Sequence, residues 1–156
     1  MKKTKALLVI DVQKEYMKKY EEGLLFRINQ RIQHSVESNE LIIYVKNIKK
    51  LRNETVTYEF EDRLKVCSEY ILFKDKASAF SNKELHNILG QSSVSEVEII
   101  GIDGNSCVAS TAMDAQKAGY KVILSCEYIG VQNPERFEAK KSALSEKGII
   151  IGQKKA

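Results

Sequence analysis

The 156 residues suffice for one domain with a substantial core and are too few for two comfortable ones. Apolar residues make up 43% and charged residues 29%, with one proline and eight glycines, which excludes a linker-rich or low-complexity chain. The formal charge of +4 is spread over 25 basic and 21 acidic side chains, and the pairs Lys2-Lys3, Lys49-Lys50 and Lys154-Lys155 are neither interleaved with aromatics nor part of a nucleic-acid module, so no nucleic-acid partner is expected.

No apolar run approaches the ~20 residues of a membrane span, and Ala6–Ile10 is too short for a signal-peptide core, so the reading is a cytoplasmic protein without membrane contact. Cys67, Cys107 and Cys126 are odd in number, widely spaced and without a CxxC, which points away from a disulfide framework and from a zinc site.

In chain order, short β-branched apolar runs alternate with amphipathic stretches. Ala6–Ile10 reads as a buried strand. Leu24, Leu25, Ile28, Ile32 and Val36 recur at helical spacing, and the helix is expected to stop near Ser38-Asn39, where Asn39 can adopt the left-handed conformation. Leu41–Val45 is a second strand. Residues 46–68 are polar and poorly periodic, with Tyr58 and Phe60 among them, and are expected to form a long excursion over the site. Tyr70–Phe73 is a third strand, followed by a helix over Ser81–Leu89 opened by a Ser N-cap with Glu84 three residues on.

Val97–Gly101 gives a fourth strand and Cys107–Ala118 a helix. Lys121–Ser125 is a fifth strand, Pro134–Lys147 a helix capped by Asn133, and Gly148–Ile151 a sixth strand. Strands alternating with helices imply a single α/β domain, a three-layer doubly wound sheet of six parallel strands with right-handed crossovers.

In such sheets the ligand site lies beyond the carboxyl ends of the strands, where strand order reverses. Asp11 follows strand one, Lys74 follows strand three, and Cys107 opens the helix after strand four, so all three fall on one edge. A thiol at a helix N-terminus beside an ammonium group is expected to have a lowered pKa, and a nearby carboxylate can exchange its proton. Main-chain N–H groups of the loop 103–107 can face a developing oxyanion. Each residue also has a purely structural reading: cysteine as a small core side chain, Asp as a turn residue, Lys as a solvated one.

Leu8-Val-Ile-Asp-Val-Gln-Lys-Glu-Tyr16 resembles the opening motif of the isochorismatase-like cysteine hydrolases. Lys74-Asp-Lys-Ala-Ser-Ala-Phe80 resembles that family's lysine segment, and the run from Gly101-Ile-Asp-Gly-Asn-Ser-Cys107 to Tyr120 is similar to its nucleophile segment. The resemblance implies an isochorismatase-like, Rossmann-like fold and an Asp11, Lys74, Cys107 triad that cleaves a C–N bond of a small amide or ureido compound through a thioester. It further implies a non-prolyl cis peptide at Ile102-Asp103 and an oxyanion hole from the Asp103 and Cys107 amides. Homo-oligomers are common in the family.

Nicotinamidases of this family hold a metal with an Asp and histidines after the second strand, whereas residues 46–68 here contain no histidine, and His34 and His86 fall on predicted helices. No metal and no cofactor are therefore expected. Tyr16, Tyr58 and Phe80 are expected pocket walls, with core packing the alternative for Phe80. Gln13 is expected to orient Asp11 or substrate, and Asn105 to add a polar contact. The competing reading is a catalytically idle member serving as a binding or assembly module. A flavodoxin-like nucleotide binder is disfavoured, since Gly101-Ile-Asp-Gly104 lacks dinucleotide-loop spacing.

Overall fold

A computed structural model describes residues 3–152. The basic residues Lys2, Lys154 and Lys155 lie outside them. Along β1 (Lys5–Ile10), the side chains of Ala6, Leu8 and Ile10 enter one core and those of Leu7 and Val9 another, as the two-residue period of a strand covered on both faces requires. The first core is closed by α3 (Glu84–Gln91), α4 (Cys107–Lys117) and α5 (Pro134–Glu146), the second by α2 (Glu22–Glu37) and by Met17 of the short α1 (Lys14–Met17). Three layers result.

Six strands run parallel, in the order β4 (Ile71–Lys74), β2 (Leu41–Leu51), β1, β5 (Glu96–Ile102), β6 (Lys121–Gly130) and β7 (Ile150–Gly152). The chain builds outward from β1 through β2 to β4, then returns to add β5 on the other side of β1. Strand order therefore reverses between β1 and β5, which places the crevice for a ligand at their carboxyl ends.

The segment expected to be an excursion is in part sheet. β2 continues to Leu51 and folds back on the antiparallel β3 (Glu54–Thr57), and Gln13 bridges to Phe60. The ribbon projects past its neighbours and buries neither face fully, which explains its polar, aperiodic sequence. Two helices also differ from the sequence reading. On α2 the buried stripe is Leu24, Ile28, Arg31, Ile32 and Ser35, while Val36 is exposed, because a 3.6-residue period carries the core face to position 35. The segment ends as expected with Asn39 at φ 55°. Ser81 does not cap α3: Ser78 caps a single 3-10 turn at Ala79–Ser81, and the Asn82 side chain accepts from the Glu84 N–H at 2.9 Å.

The buried Arg31 of that stripe donates to both oxygens of Glu98 on β5, at 2.9 and 2.8 Å, and Ser125 and Lys5 bind the same carboxylate. These partners hold Glu98 down at about 2 despite its burial. Neither residue belongs to the apolar repeat read from the sequence and the two stand 67 positions apart, so their pairing follows from the fold alone.

Candidate active site

β1 ends in a sharp turn. Asp11 has φ 56°, a left-handed conformation that Asp tolerates, and its N–H donates to the Val45 carbonyl at 2.9 Å. The turn directs a buried carboxylate into the crevice, the side chain being 6% exposed. Beside it, Gly101 on β5 has φ 113°, and a Cβ there would lie 2.2 Å from the Ile10 carbonyl oxygen, so only glycine lets β5 approach β1 this closely. The peptide Ile102-Asp103 is cis. The loop that follows delivers Cys107 as the first residue of α4, where its N–H has no intrahelical acceptor. Thr111 donates from its hydroxyl to the Cys107 carbonyl at 2.8 Å and accepts from the Ala79 N–H at 3.0 Å, fixing the helix start.

Lys74, the last residue of β4, brings its ammonium group to both. Its Nζ lies 3.2 Å from Asp11 Oδ2 and 3.5 Å from Cys107 Sγ, and it also donates to Asn47 Oδ1 and the Lys76 carbonyl, each at 3.1 Å. Lys76 is exposed and contributes only that carbonyl. The three residues proposed from the sequence thus converge in space. Asp11 Oδ1 is buried without a hydrogen-bond partner among the described residues.

The electrostatics differ from the expectation of a lowered thiol pKa. Burial, and then the Asp11 charge, push the Cys107 thiol up to about 11 against the pull of Lys74. Burial also raises Asp11, opposed by Lys74 and by hydrogen bonding with Cys107. The resting sulfur is therefore a neutral thiol beside the Asp11–Lys74 ion pair. Moving the thiol proton to Asp11 leaves the net charge unchanged and exchanges one anion beside Lys74 for another.

A cavity of about 200 Å³ opens on Asp11 and Cys107, room for roughly six or seven waters at ~30 Å³ each, while Lys74 does not line it. Tyr16 and Asn47 line it, with Ile102, Asp103 and Ser106 from the nucleophile loop, and Lys19, Tyr20 and Gln132 form its outer wall. Of the other expected pocket residues, Gln13 is fully buried: its amide donates to the Asn47 and Tyr58 carbonyls, and its oxygen accepts from the Asn47 N–H. It locks the strand that presents Asn47. Tyr58 stands behind Tyr16, edge to face at 5.4 Å. Phe80 packs with His86 and Tyr120 against the α4 core, away from the cavity. Asn105 donates to the Asn133 carbonyl. His34 and His86 are exposed.

The wall residues Tyr20 and Gln132 carried no signal in the sequence, and both are bound by Asp103 of the expected oxyanion loop. Asp103 accepts from the Tyr20 hydroxyl at 2.8 Å, the Gln132 N–H at 3.0 Å and the Asn105 N–H at 2.8 Å, tying the Tyr20 and Gln132 segments to its own loop, which leads to Cys107. Asn47 was the more legible, lying two residues past the second predicted strand on the reactive edge. A larger cavity of about 590 Å³ shares Lys19, Tyr20 and Gln132 but contains none of the three reactive side chains.

Residues 5–151 match the family model described as the isochorismatase domain. The Bacillus subtilis (strain 168) isochorismatase family protein YaaI is 29% identical over 153 residues, covering 86% of this chain and 84% of that one. Among solved structures, a pyrazinamidase of Pyrococcus horikoshii in complex with zinc superimposes with TM-score 0.83 at 24% identity, over 97% of this chain and 99% of that one. The N-carbamoylsarcosine amidase from Thermoplasma acidophilum superimposes with TM-score 0.82 at 20% identity, over 98% and 96%.

The residues that follow the predicted second strand, which fall within β2, do not suit a metal. Lys46 places its ammonium 4.4 Å over the Phe60 ring and 3.7 Å from Glu59, and the Asn47 oxygen is held by Lys74. Among the described residues no three His, Cys, Asp or Glu side chains group as a metal site.

Proposed function

We propose that this chain, which belongs to the isochorismatase family, is a cysteine hydrolase that cleaves the C–N bond of a small amide or ureido compound. The supporting observation is the single ammonium of Lys74 within reach of both Asp11 and Cys107. In this reading Asp11 takes the Sγ proton as sulfur attacks the carbonyl carbon, and Lys74 stabilises the negative charge as it moves to sulfur. The N–H groups of Asp103 and Cys107 receive the oxyanion, each such donor being worth ~3 kcal/mol. Collapse breaks the C–N bond and protonated Asp11 returns its proton to the leaving nitrogen, leaving a thioester. Water, deprotonated by Asp11, then hydrolyses the thioester, releasing the acid and restoring the thiol. No step passes through a metal.

The pocket's small volume and the lining by Tyr16 and Asn47 suit a compact, polar substrate. No described helix is long and apolar enough to cross a membrane. The raised thiol pKa favours a second reading, an idle binding module whose sulfur never ionises.

The two readings part on one experiment. The protein is incubated with a panel of small carboxamides and N-carbamoyl compounds, quenched in acid and mapped by mass spectrometry. An acyl or carbamoyl mass on the Cys107 peptide, with turnover abolished in Cys107→Ala and Cys107→Ser, is the expected result. Turnover that survives Cys107→Ala, or neither adduct nor turnover across the panel, sinks the hydrolase mechanism.

A further inference from the structure

Three charged residues line the cavity, Asp11, Lys19 and Asp103. Asp11 is paired with Lys74, and the Asp103 carboxylate is spent on three donors. Three neighbouring lysines precede α2. Lys14 pairs with Asp62 at 3.0 Å and Lys18 with Glu15 at 3.0 Å, both out on the surface. Lys19 lines the cavity, and among the described residues its ammonium makes no ion pair or hydrogen bond. Its backbone is fixed on the adjoining side, because the hydroxyl of Tyr20 donates to Asp103.

Lys19 also lines the larger neighbouring cavity, as Tyr20 and Gln132 do, so it belongs to the wall shared by the two. A substrate whose carbonyl carbon sits at Cys107 extends from the buried end of the small cavity toward this shared wall. A cation there, on a flexible stem and without a partner, is matched by an anion.

We propose that Lys19 is a specificity-determining residue that holds a carboxylate of the substrate, so that the amide or ureido compound hydrolysed is an anion. This rests on the cavity being the site where the substrate carbonyl meets Cys107. The fixed Asp11–Lys74 pair is neutral overall and does not distinguish anionic from neutral amides. Lys19 does.

The test compares N-acetylglycine, an anion, with its neutral counterpart N-acetylglycinamide, titrated into the full chain and followed by backbone amide shifts. The anion is expected to bind about fivefold more tightly, the size of one partly exposed ion pair, with perturbations at Ser106 and Gln132. Lys19→Gln removes the preference, Lys19→Glu inverts it, and Lys18→Gln keeps it. Equal binding in the unaltered protein, no perturbation by either probe, or a preference that survives Lys19→Gln overturns the assignment. Neither probe requires sulfur to react, so this result is independent of adduct formation at Cys107.

Discussion

The ammonium of Lys74 donates to the sulfur of Cys107 at 3.5 Å although the two residues are 33 positions apart and stand on different elements, one ending a strand and one beginning a helix. Only the parallel order of the sheet brings them together. In the proposed mechanism this contact gives a nascent thiolate a cationic partner while the resting thiol stays protonated, and the proposed division of labour between Lys74 and Asp11 can be tested.

Asp11→Asn removes the anion and, in the proposed mechanism, the base with it, with opposite effects on two measurable quantities. The Asp11 charge holds the Cys107 pKa up, so without it the thiol ionises at lower pH than about 11, under the remaining pull of Lys74. Turnover nonetheless falls by roughly 10²–10⁴, the usual contribution of a positioned general base. Ultraviolet thiolate absorbance against pH reports the first and steady-state rates the second. Activity within a few-fold of the unaltered protein removes Asp11 from the proton path.

Tyr20→Phe deletes one donor to Asp103 and leaves the other two in place. A hydrogen bond to a charged group is worth about 1.5–3 kcal/mol, and that loss is expected in urea unfolding. Faster hydrogen exchange at the Gln132 amide accompanies it, because both groups share Asp103 Oδ2. Unchanged stability together with unchanged exchange contradicts the role of Asp103 as the tie between the loops.

Arg31→Met strips the buried Glu98 of its main partner, and removing one member of a buried pair costs about 3–5 kcal/mol. The pH dependence carries the sign. Glu98 is lowered from 4.5 to about 2 in the folded protein, so its contribution is present above pH 4.5 and is lost as pH falls toward 2. A shift of that size corresponds to about 3 kcal/mol. In Arg31→Met the carboxyl rises and the acid-side decline begins at higher pH. Urea midpoints measured from neutral pH downward show whether the two proteins converge near pH 2.

Much of this site is local in character. Asp11, Lys74 and Cys107 can be placed on one sheet edge from strand ends alone, because a β-branched run announces where it stops and parallel topology puts every stop on the same side. The apolar alternation of β1 is legible in the same way, since burial on both faces demands it. The chain order of strands and helices, and the departure of residues 46–68 from any period, are likewise written in the residues themselves.

Contacts between segments far apart in sequence were decided by the folded structure alone. The hairpin of β2 and β3, the Arg31–Glu98 pair and the Asp103 tie to Tyr20 and Gln132 join residues whose neighbours give no hint of a partner. The removal of Phe80 from the cavity and the raised Cys107 pKa follow from burial, a property of the packed molecule. Sequence periodicity reports which face of an element is apolar. The charge state of a side chain depends on how much water and which ions its tertiary neighbours leave it, and those are set only once the layers have closed.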